Sequence, residues 1–426
     1  MAEIVVLGAG LGGTLMAYEM SEQLRKEDHI TVVGQGPYYR FFPSNPWVAV
    51  GWRQRKDIEI DLTKVMARKN ISFVTQGAER VHPAENRLDL ADGTSLSYDY
   101  LIIATGPELA FDEIPGLGPN AHTQSICETS HAEQAFVEFE KFCENPGPIV
   151  IGAAQGVSCF GPAYEFAFIL DTELRKRGIR NKVPMTYVTP EPYVGHLGLD
   201  GVGDTKGLIE SEMRSRHIKW INNARVKEVT PGQMVVEELA EDASLKTTHT
   251  LDFKFSMMMP PFRGVPAVFG IAGLTNPRGF ILADAHQRNP AFPNVFSIGV
   301  CVAIPPVSKT PVPLGVPKTG FMIESMVTAT AHNIGALLRG QEAVIKPSWN
   351  AICLADFGDG GVAFVAQPQI PPRNANWAAG GKWVHTAKVG FEKYFMRKIR
   401  VGKSEPFYER YMMKMLKIHK FEDGTH

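Results

Sequence analysis

The chain opens on a short apolar strand, Glu3–Gly8, that runs directly into Gly8-Ala-Gly10-Leu-Gly-Gly13 and then into a helical stretch reaching about Leu24. A second strand reads from His29 to Gly34. A GxGxxG turn between strand and helix limits the fold more than any other feature of the sequence. Gly8 allows the tight turn, Gly10 lets the backbone approach a pyrophosphate, and Gly13 lets helix and strand pack closely. The helix N-terminus then presents free N–H groups and positive potential to the phosphates. At the end of the second strand, where an acid usually holds the ribose, the sequence reads Gly34-Gln35-Gly36. Gln35 can still hydrogen-bond a ribose.

Further along, Arg87–Ile103 reads as a hairpin with an Asp92-Gly93 turn followed by a buried strand that ends in Ala104-Thr105-Gly106. A strand ending this way beside a first βαβ unit is frequent in flavoproteins with two dinucleotide domains, which points to FAD. A second βαβ unit begins at Pro148–Gly152, continues in a helix from about Ser158 to Lys176, and closes with a strand at Pro184–Val188. Its turn reads Gly152-Ala-Ala-Gln-Gly156-Val-Ser-Cys159-Phe-Gly161, so the glycine spacing is broken and a cysteine stands where the helix begins. A thiol at a helix N-terminus has its thiolate stabilised by the dipole, which predicts a reactive Cys159.

Asn294–Gly299 reads as one more buried strand, with Val300 where flavoproteins of this plan usually carry an aspartate. A proline-rich stretch, Ile304–Gly320, leads into a helix from Phe321 to about Leu338. The prolines restrict φ and lower the entropy of ordering the approach. Lys318 and Thr319 at that helix N-terminus suit the electron-rich edge of an isoalloxazine. Ala351–Gly358 is strand-like and carries Cys353.

The fold class that follows is α/β, with two Rossmann-like dinucleotide-binding domains and a C-terminal amphipathic helical region. The expected division is 1–110 with 290–340 for FAD, 111–289 for the second domain, and 341–426 for the C-terminal region. With 426 residues, 44% hydrophobic and 21% charged, the chain suits two or three ordinary globular domains. A net charge of -1 gives no field that selects nucleic acid. No run of 18 apolar residues predicts a spanning helix, and no secretory signal precedes the first strand, so folding is expected to begin in the cytoplasm. The five cysteines (127, 143, 159, 301 and 353) have neither CxxC spacing nor paired histidines, which argues against a metal.

From Lys388 to Lys420 the chain holds ten Lys or Arg against three Glu, interleaved with aromatic residues and methionines. Two helices, Val389–Val401 and Glu405–Lys420, are expected there. Basic amphipathic helices of this kind lie in membrane interfaces and attract anionic lipid.

Taken together, Gly8–Gly13, Ala104-Thr105-Gly106, Cys159 in Ser-Cys-Phe-Gly-Pro-Ala-Tyr-Glu165, Pro317-Lys318-Thr319-Gly320 and Cys353 resemble bacterial sulfide:quinone oxidoreductases over nearly the whole chain. Both departures, Gln35 and Val300, look tolerated in that branch. The resemblance implies FAD as cofactor, held by Gly8, Gly10, Gly13, Gln35, Thr105, Gly106, Gly299, Lys318 and Thr319. It implies Cys159 and Cys353 as a redox pair, joined directly or through bridging sulfur; which of the two forms the flavin adduct stays open, with Cys353 favoured as the flavin-side sulfur. Cys127 resembles a third functional cysteine that in some members tethers the flavin or takes part in turnover. Cys143 and Cys301 match no such role and read as packing. Glu165 resembles a carboxylate near the reactive thiol, and His131 and His196 resemble histidines near the sulfide route. Lys318, Phe391 and Tyr408 resemble residues around the quinone, the two aromatics as walls against its ring. The implied activity is oxidation of sulfide to polysulfide or elemental sulfur, with electrons passed to membrane quinone. The implied site of action is a monotopic position on the cytoplasmic face of the inner membrane, in contact with lipid; a homo-oligomer is left open.

Three rival readings share parts of this pattern. A single-subunit NADH:quinone oxidoreductase predicts an intact second GxGxxG. A flavin subunit of a sulfide-oxidising flavocytochrome predicts an export signal and a haem partner. A non-catalytic flavoprotein has no need of Cys159 and Cys353.

Overall fold

The computed structural model of the chain describes residues 1–405 and 419–422. The strands that frame the site are, in chain order, β1 (Glu3–Leu7), β2 (His29–Val33), β3 (Ser72–Val74), β4 (Tyr100–Ile103), β5 (Ile149–Ala153), β6 (Met185–Val188), β7 (Ile218–Ile221), β8 (Phe255–Met259), β9 (Val295–Ser297), β10 (Ala351–Asp356), β11 (Gly361–Gln367) and β12 (Ala375–Gly380). The helices are α1 (Leu11–Gln23), α2 (Thr129–Glu144), α3 (Gly161–Lys176), α4 (Gly320–Leu338) and α5 (Trp383–Val401).

The first sheet is parallel, in the order β9-β4-β1-β2-β3. Its strands are continuous apolar runs because both faces are covered, as a parallel sheet requires. Alternate side chains serve the two faces. Ile4, Val6 and Ile102 pack with Leu15 and Met16 of α1 and Met322 and Met326 of α4. Val5, Leu7, Leu101 and Ile103 pack against Val81, Leu88 and Leu90, which belong to a small antiparallel sheet. The second sheet is also parallel, in the order β7-β6-β5-β8. Ile149, Ile151, Phe255 and Met257 face α2 and α3, while Val150, Val188 and Met258 face a three-stranded antiparallel layer that contributes Val226, Met234 and Val236.

A third sheet, β10-β11-β12, is antiparallel. It carries Cys353 and lies between α3 and α5, and the Phe166, Phe364, Phe395 and Ile399 side chains join the same buried cluster as the helices of both dinucleotide units. Every cis bond among the described residues precedes a proline, at Gln367–Pro368 and Pro371–Pro372.

Three boundaries differ from the sequence reading, each for a physical reason. Helix α3 begins at Gly161 rather than Ser158, because Pro162 fits only the first turn, where its missing N–H is not needed. Cys159 therefore lies just before the helix. Helix α5 begins at Trp383, six residues before the expected Val389, since Val384 is already buried and packed. Of the second expected C-terminal helix, only Glu405, His419 and Lys420 are described; the rest of it, with Tyr408, lies outside the described residues.

Helix α5 turns both apolar and charged residues toward the protein. Phe395, Met396 and Ile399 are buried against the protein, with Phe395 stacked 5.9 Å from Phe41. The charged residues Lys388, Glu392 and Lys398 are buried on that same inward side, each in an ion pair: with Glu165 (3.0 Å), Arg53 (3.0 Å) and Glu324 (3.0 Å). The outward face holds Lys393, Arg397 and Arg400.

Candidate active site

At the carboxyl end of β1 the glycines do what their spacing predicts. Gly8 has φ +117°, and a Cβ there would stand 2.3 Å from the Ala104 carbonyl oxygen. A Cβ on Gly13 would stand 1.8 Å from the carbonyl oxygen of Gly8. Around Gly10 and Gly106, by contrast, a Cβ would meet nothing within 4 Å, so open space lies over the turn. Helix α1 starts at Leu11 from Gly10, which has no side chain to cap the first amides. Thr105 and Gly106 follow β4 beside this turn, and Gly299 (φ +80°) follows β9 on the other side. Gln35 is exposed at the end of β2, where it forms a bridge with Gln76. Open cradle, uncapped helix N-terminus and flanking polar residues fit the pyrophosphate and ribose of FAD.

The corresponding turn of the second sheet is closed. Ala154 N–H donates to Met259 O (2.9 Å) and Gly156 N–H to Pro313 O (3.2 Å). The Gln155 side chain is bonded in both directions to the Val226 backbone, at 3.0 Å each way. These groups, which would cradle phosphates in a nucleotide-binding turn, are spent on the protein itself.

That closed turn leads into Cys159, and three cysteines gather there. Cys159 precedes α3, Cys353 comes from β10, and Cys127 from the approach to α2, with its sulfur 3.6 Å from Met259 Sδ. All are partly buried thiols. Burial, with the nearby Glu165 carboxylate, pushes Cys159 up to about 11. Lys388, the Gly161 N–H and Lys318 pull the other way without prevailing. Burial likewise raises Cys127 and Cys353 to about 12, and the charge of Cys159 raises both. Cys159 is thus the common neighbour of the other two. The expected lowering by the helix dipole is outweighed: a dipole effect near a helix end is worth about 0.3–1 kcal/mol, while burial can move a pKa by several units.

Beside the thiols, Glu165 of α3 accepts two bonds from Lys388 Nζ (3.0 and 3.2 Å) and one from the Asp356 N–H (2.8 Å). Lys388 also donates to Leu354 O (3.2 Å), so the pair ties α5 and α3 to the strand of Cys353. Asp356 accepts in turn from Trp47 Nε1 (2.7 Å) and is bonded to His385 Nδ1 (2.9 Å). On the other flank, Lys318 follows the proline-rich approach, which stacks on the Cys159 turn through Gly315 N–H to Val157 O (3.0 Å). Burial lowers Lys318 to about 8, opposed by the charges of Cys301 and Cys159. Its ammonium stands 5.5 Å from the Phe280 ring centre. Thr319 caps α4, its hydroxyl accepting from Met322 N–H.

The remaining sequence-predicted residues are placed as follows. His131 sits in the first turn of α2, edge-on to Phe111, with Nδ1 buried and unpartnered. His196 is buried in the loop after β6; its Nδ1 accepts from Gly198 N–H (3.2 Å) and its Nε2 is 3.7 Å from Asp200. Burial lowers both histidines. Phe391 is half-buried one turn after Lys388, 4.5 Å from Phe395. Cys143 lies in α2, away from the other thiols, where burial raises it against the pull of Arg177. Cys301 is buried beneath the Thr105 turn, its thiol donating to Ile103 and Ile298 carbonyls. Among the described residues there is no cluster of His, Cys, Asp or Glu that could hold a metal.

Sequence reasoning missed Lys388, Asp356 and His385. The signal was available for two of them. His385, Lys388, Glu392, Phe395 and Ile399 recur at helical spacing, which places charges on the same face as the apolar residues.

Comparison with known proteins agrees with this geometry. Residues 2–332 match the family described as pyridine nucleotide-disulphide oxidoreductase. The chain is 43% identical over 423 residues to the sulfide-quinone reductase of Aquifex aeolicus, covering 98% of this chain and 96% of that one. It superposes on a solved sulfide:quinone oxidoreductase structure from Aquifex aeolicus with a TM-score of 0.94 at 42% identity, covering 99% of this chain and 97% of that one. The structure of NDH2 from Plasmodium falciparum shares the fold alone, with a TM-score of 0.72 at 13% identity, over 97% of this chain and 98% of that one. A second turn closed on itself, three converging thiols and these similarities lead to one assignment: the chain belongs to the pyridine nucleotide-disulphide oxidoreductase family, within its sulfide–quinone reductase group.

Proposed function

We propose that this chain oxidises hydrosulfide at Cys159 and Cys353 and delivers the two electrons through FAD to a quinone. The observation that carries the reading is the meeting of Cys159 and Cys353, from two different sheets' loops and strands, beside the Glu165–Lys388 pair.

With the two cysteines joined, hydrosulfide attacks one sulfur, forming one S–S bond and breaking another. One cysteine leaves as thiolate and the other becomes a persulfide. Where Cys159 is the sulfur that leaves, Lys388, Lys318 and the Gly161 N–H offset part of the cost of burying its charge. The chemistry supplied by bound FAD is storage of two electrons between the sulfur pair and the quinone. Gly8, Gly10, Gly13, Gln35, Thr105, Gly106 and Gly299 would hold it, with Lys318 and Thr319 at the head of α4. Each time two electrons passed from the persulfide and the thiolate to bound FAD and on to quinone, the bridge would re-form one sulfur longer, and renewed attack by hydrosulfide would lengthen the chain until polysulfide or elemental sulfur leaves. Cys127, the third thiol at Cys159, is placed to receive or pass on sulfur.

Protons move on the sulfide side. His131 and His196, held toward the neutral form by burial, take the hydrosulfide proton. On the quinone side, Phe391 is one wall of the pocket. Tyr408, the other wall, is outside the described residues. Among the described residues no helix is long and apolar enough to cross a membrane. With the apolar face of α5 buried, we infer peripheral binding through Lys393, Arg397 and Arg400 to anionic headgroups of the cytoplasmic face.

The test is an anaerobic titration of the purified flavoprotein. Sulfide is expected to bleach the flavin and a soluble quinone to restore it, with NADH inert. Bleaching by NADH alone would replace this reading with an NADH:quinone oxidoreductase.

A further inference from the structure

The sulfur chemistry makes no use of Glu191, yet few side chains in the molecule are held as firmly. It lies just after β6 and is fully buried. Its Oε2 accepts from the Tyr164 hydroxyl and from Thr189 Oγ1, both at 2.6 Å, and its Oε1 accepts from the Leu197 N–H at 2.6 Å. Tyr164 in turn accepts from the Gly195 N–H (3.0 Å). Thr205 completes the set, donating to Gly195 O (2.7 Å) and accepting from Val202 N–H (3.0 Å). Burial raises the Glu191 carboxyl to about 7, against the pull of Thr189, Tyr164 and Leu197.

This network holds a segment that would not hold itself. Between 195 and 203 the backbone enters the left-handed region at six residues, two of them non-glycine: Leu197 (φ +61°) and Asp200 (φ +62°). A non-glycine residue in this region is strained and persists only where its surroundings fix it. The segment carries His196. It also abuts the thiol turn, because a Cβ at Gly198 would stand 2.5 Å from Gly315 O and 3.1 Å from the ring of Phe160, the residue after Cys159. Tyr164 belongs to the first turn of α3 and immediately precedes Glu165. Glu191 therefore joins the helix that starts at the thiol to the loop that carries the histidine.

We propose that Glu191 is a positioning residue that fixes the His196 loop against the Cys159 turn and so sets the geometry of the sulfide-side half-reaction. This rests on the sulfide reading above. A carboxylate is suited to the task because it accepts all three donors at once; an amide of the same shape replaces one accepting oxygen with a donor.

The test uses the FAD-loaded enzyme with E191Q, Y164F and the double variant. Hydrogen exchange over residues 191–205 is expected to quicken in each. The rate of flavin reduction by sulfide is expected to fall by ~10- to 100-fold, the scale of a misplaced catalytic group. Reoxidation of the dithionite-reduced enzyme by decylubiquinone is expected to be unchanged. The double variant should be no slower with sulfide than the worse single, since both break one network. Equal loss in both half-reactions, or unchanged exchange with unchanged sulfide rate, or single effects that multiply in the double, would each overturn the proposal. A wild-type enzyme that sulfide does not bleach sinks the sulfide reading instead, while the exchange pattern still decides whether Glu191 tethers the loop.

Discussion

Cys159 shows how far a motif can be read residue by residue. Its sequence setting announced a thiol at a helix start, and the structure places it there, but just outside the first turn and buried enough that the pKa rises rather than falls. A free thiolate at rest is not what this site favours. Replacing Cys159 or Cys353 with Ser is expected to slow flavin bleaching by sulfide by ~10³-fold or more, the scale for loss of a nucleophile, while dithionite still reduces the flavin. Stopped-flow absorbance checks it, and unchanged bleaching in either variant rules out the pair. Lys318 offers a second check. Its ammonium is held down to about 8 by burial, so between about 8 and its ordinary 10.5 the unfolded chain binds more protons than the folded one. Stability therefore rises with pH across that window. The melting temperature of K318M should exceed that of wild type most at pH 7, and the gap should narrow from about pH 8 and close only above the ordinary 10.5.

At the scale of elements, the two βαβ units and their sheets were legible because parallel strands covered on both faces are written as unbroken apolar runs with glycine turns between them. Helix α5 was legible too, down to its end at Val401, but not the pairing of its charges. Its basic and aromatic composition reads as an interfacial helix, whereas three of its charges are turned inward to partners on three other elements. Composition cannot distinguish a cation that meets lipid from one that meets a buried carboxylate far away in sequence; only the tertiary pairing does. Breaking one such pair from one side leaves an uncompensated buried charge, which costs about 3–5 kcal/mol. E165Q and K388M are each expected to lower stability on that scale in denaturant unfolding. The E165Q/K388M double should lose much less than the sum, because it buries no lone charge. A strictly additive double would mean that the two groups act independently.

For the molecule as a whole, the peripheral binding proposed above would be electrostatic as far as the described residues of α5 provide it. Lys393, Arg397 and Arg400 face outward from a helix whose other side is committed to the core. Each is worth about 1 kcal/mol at an anionic surface. Changing all three to Gln is therefore expected to weaken binding to phosphatidylserine-containing vesicles by ~100-fold in a sedimentation assay, with sulfide-driven bleaching in solution intact. Binding that is unaffected by the triple change and by added salt would assign the attachment to another part of the chain.

The arrangement of the first sheet also has a consequence during synthesis. Strand β4, Tyr-Leu-Ile-Ile, pairs on one side with β1, but its other side waits for β9. Residues 104–294 must be made in between, which takes roughly 10–40 s at the usual ~5–20 residues per second. For that interval the nascent chain carries an unpaired, wholly apolar edge, the kind of surface that templates aggregation. The inserted second unit can complete its own sheet in the meantime, so the half that receives the cofactor is begun first and closed last. Expression yield of this chain should accordingly depend on holdase chaperones acting on the N-terminal hundred residues more than on anything in the thiol-bearing unit.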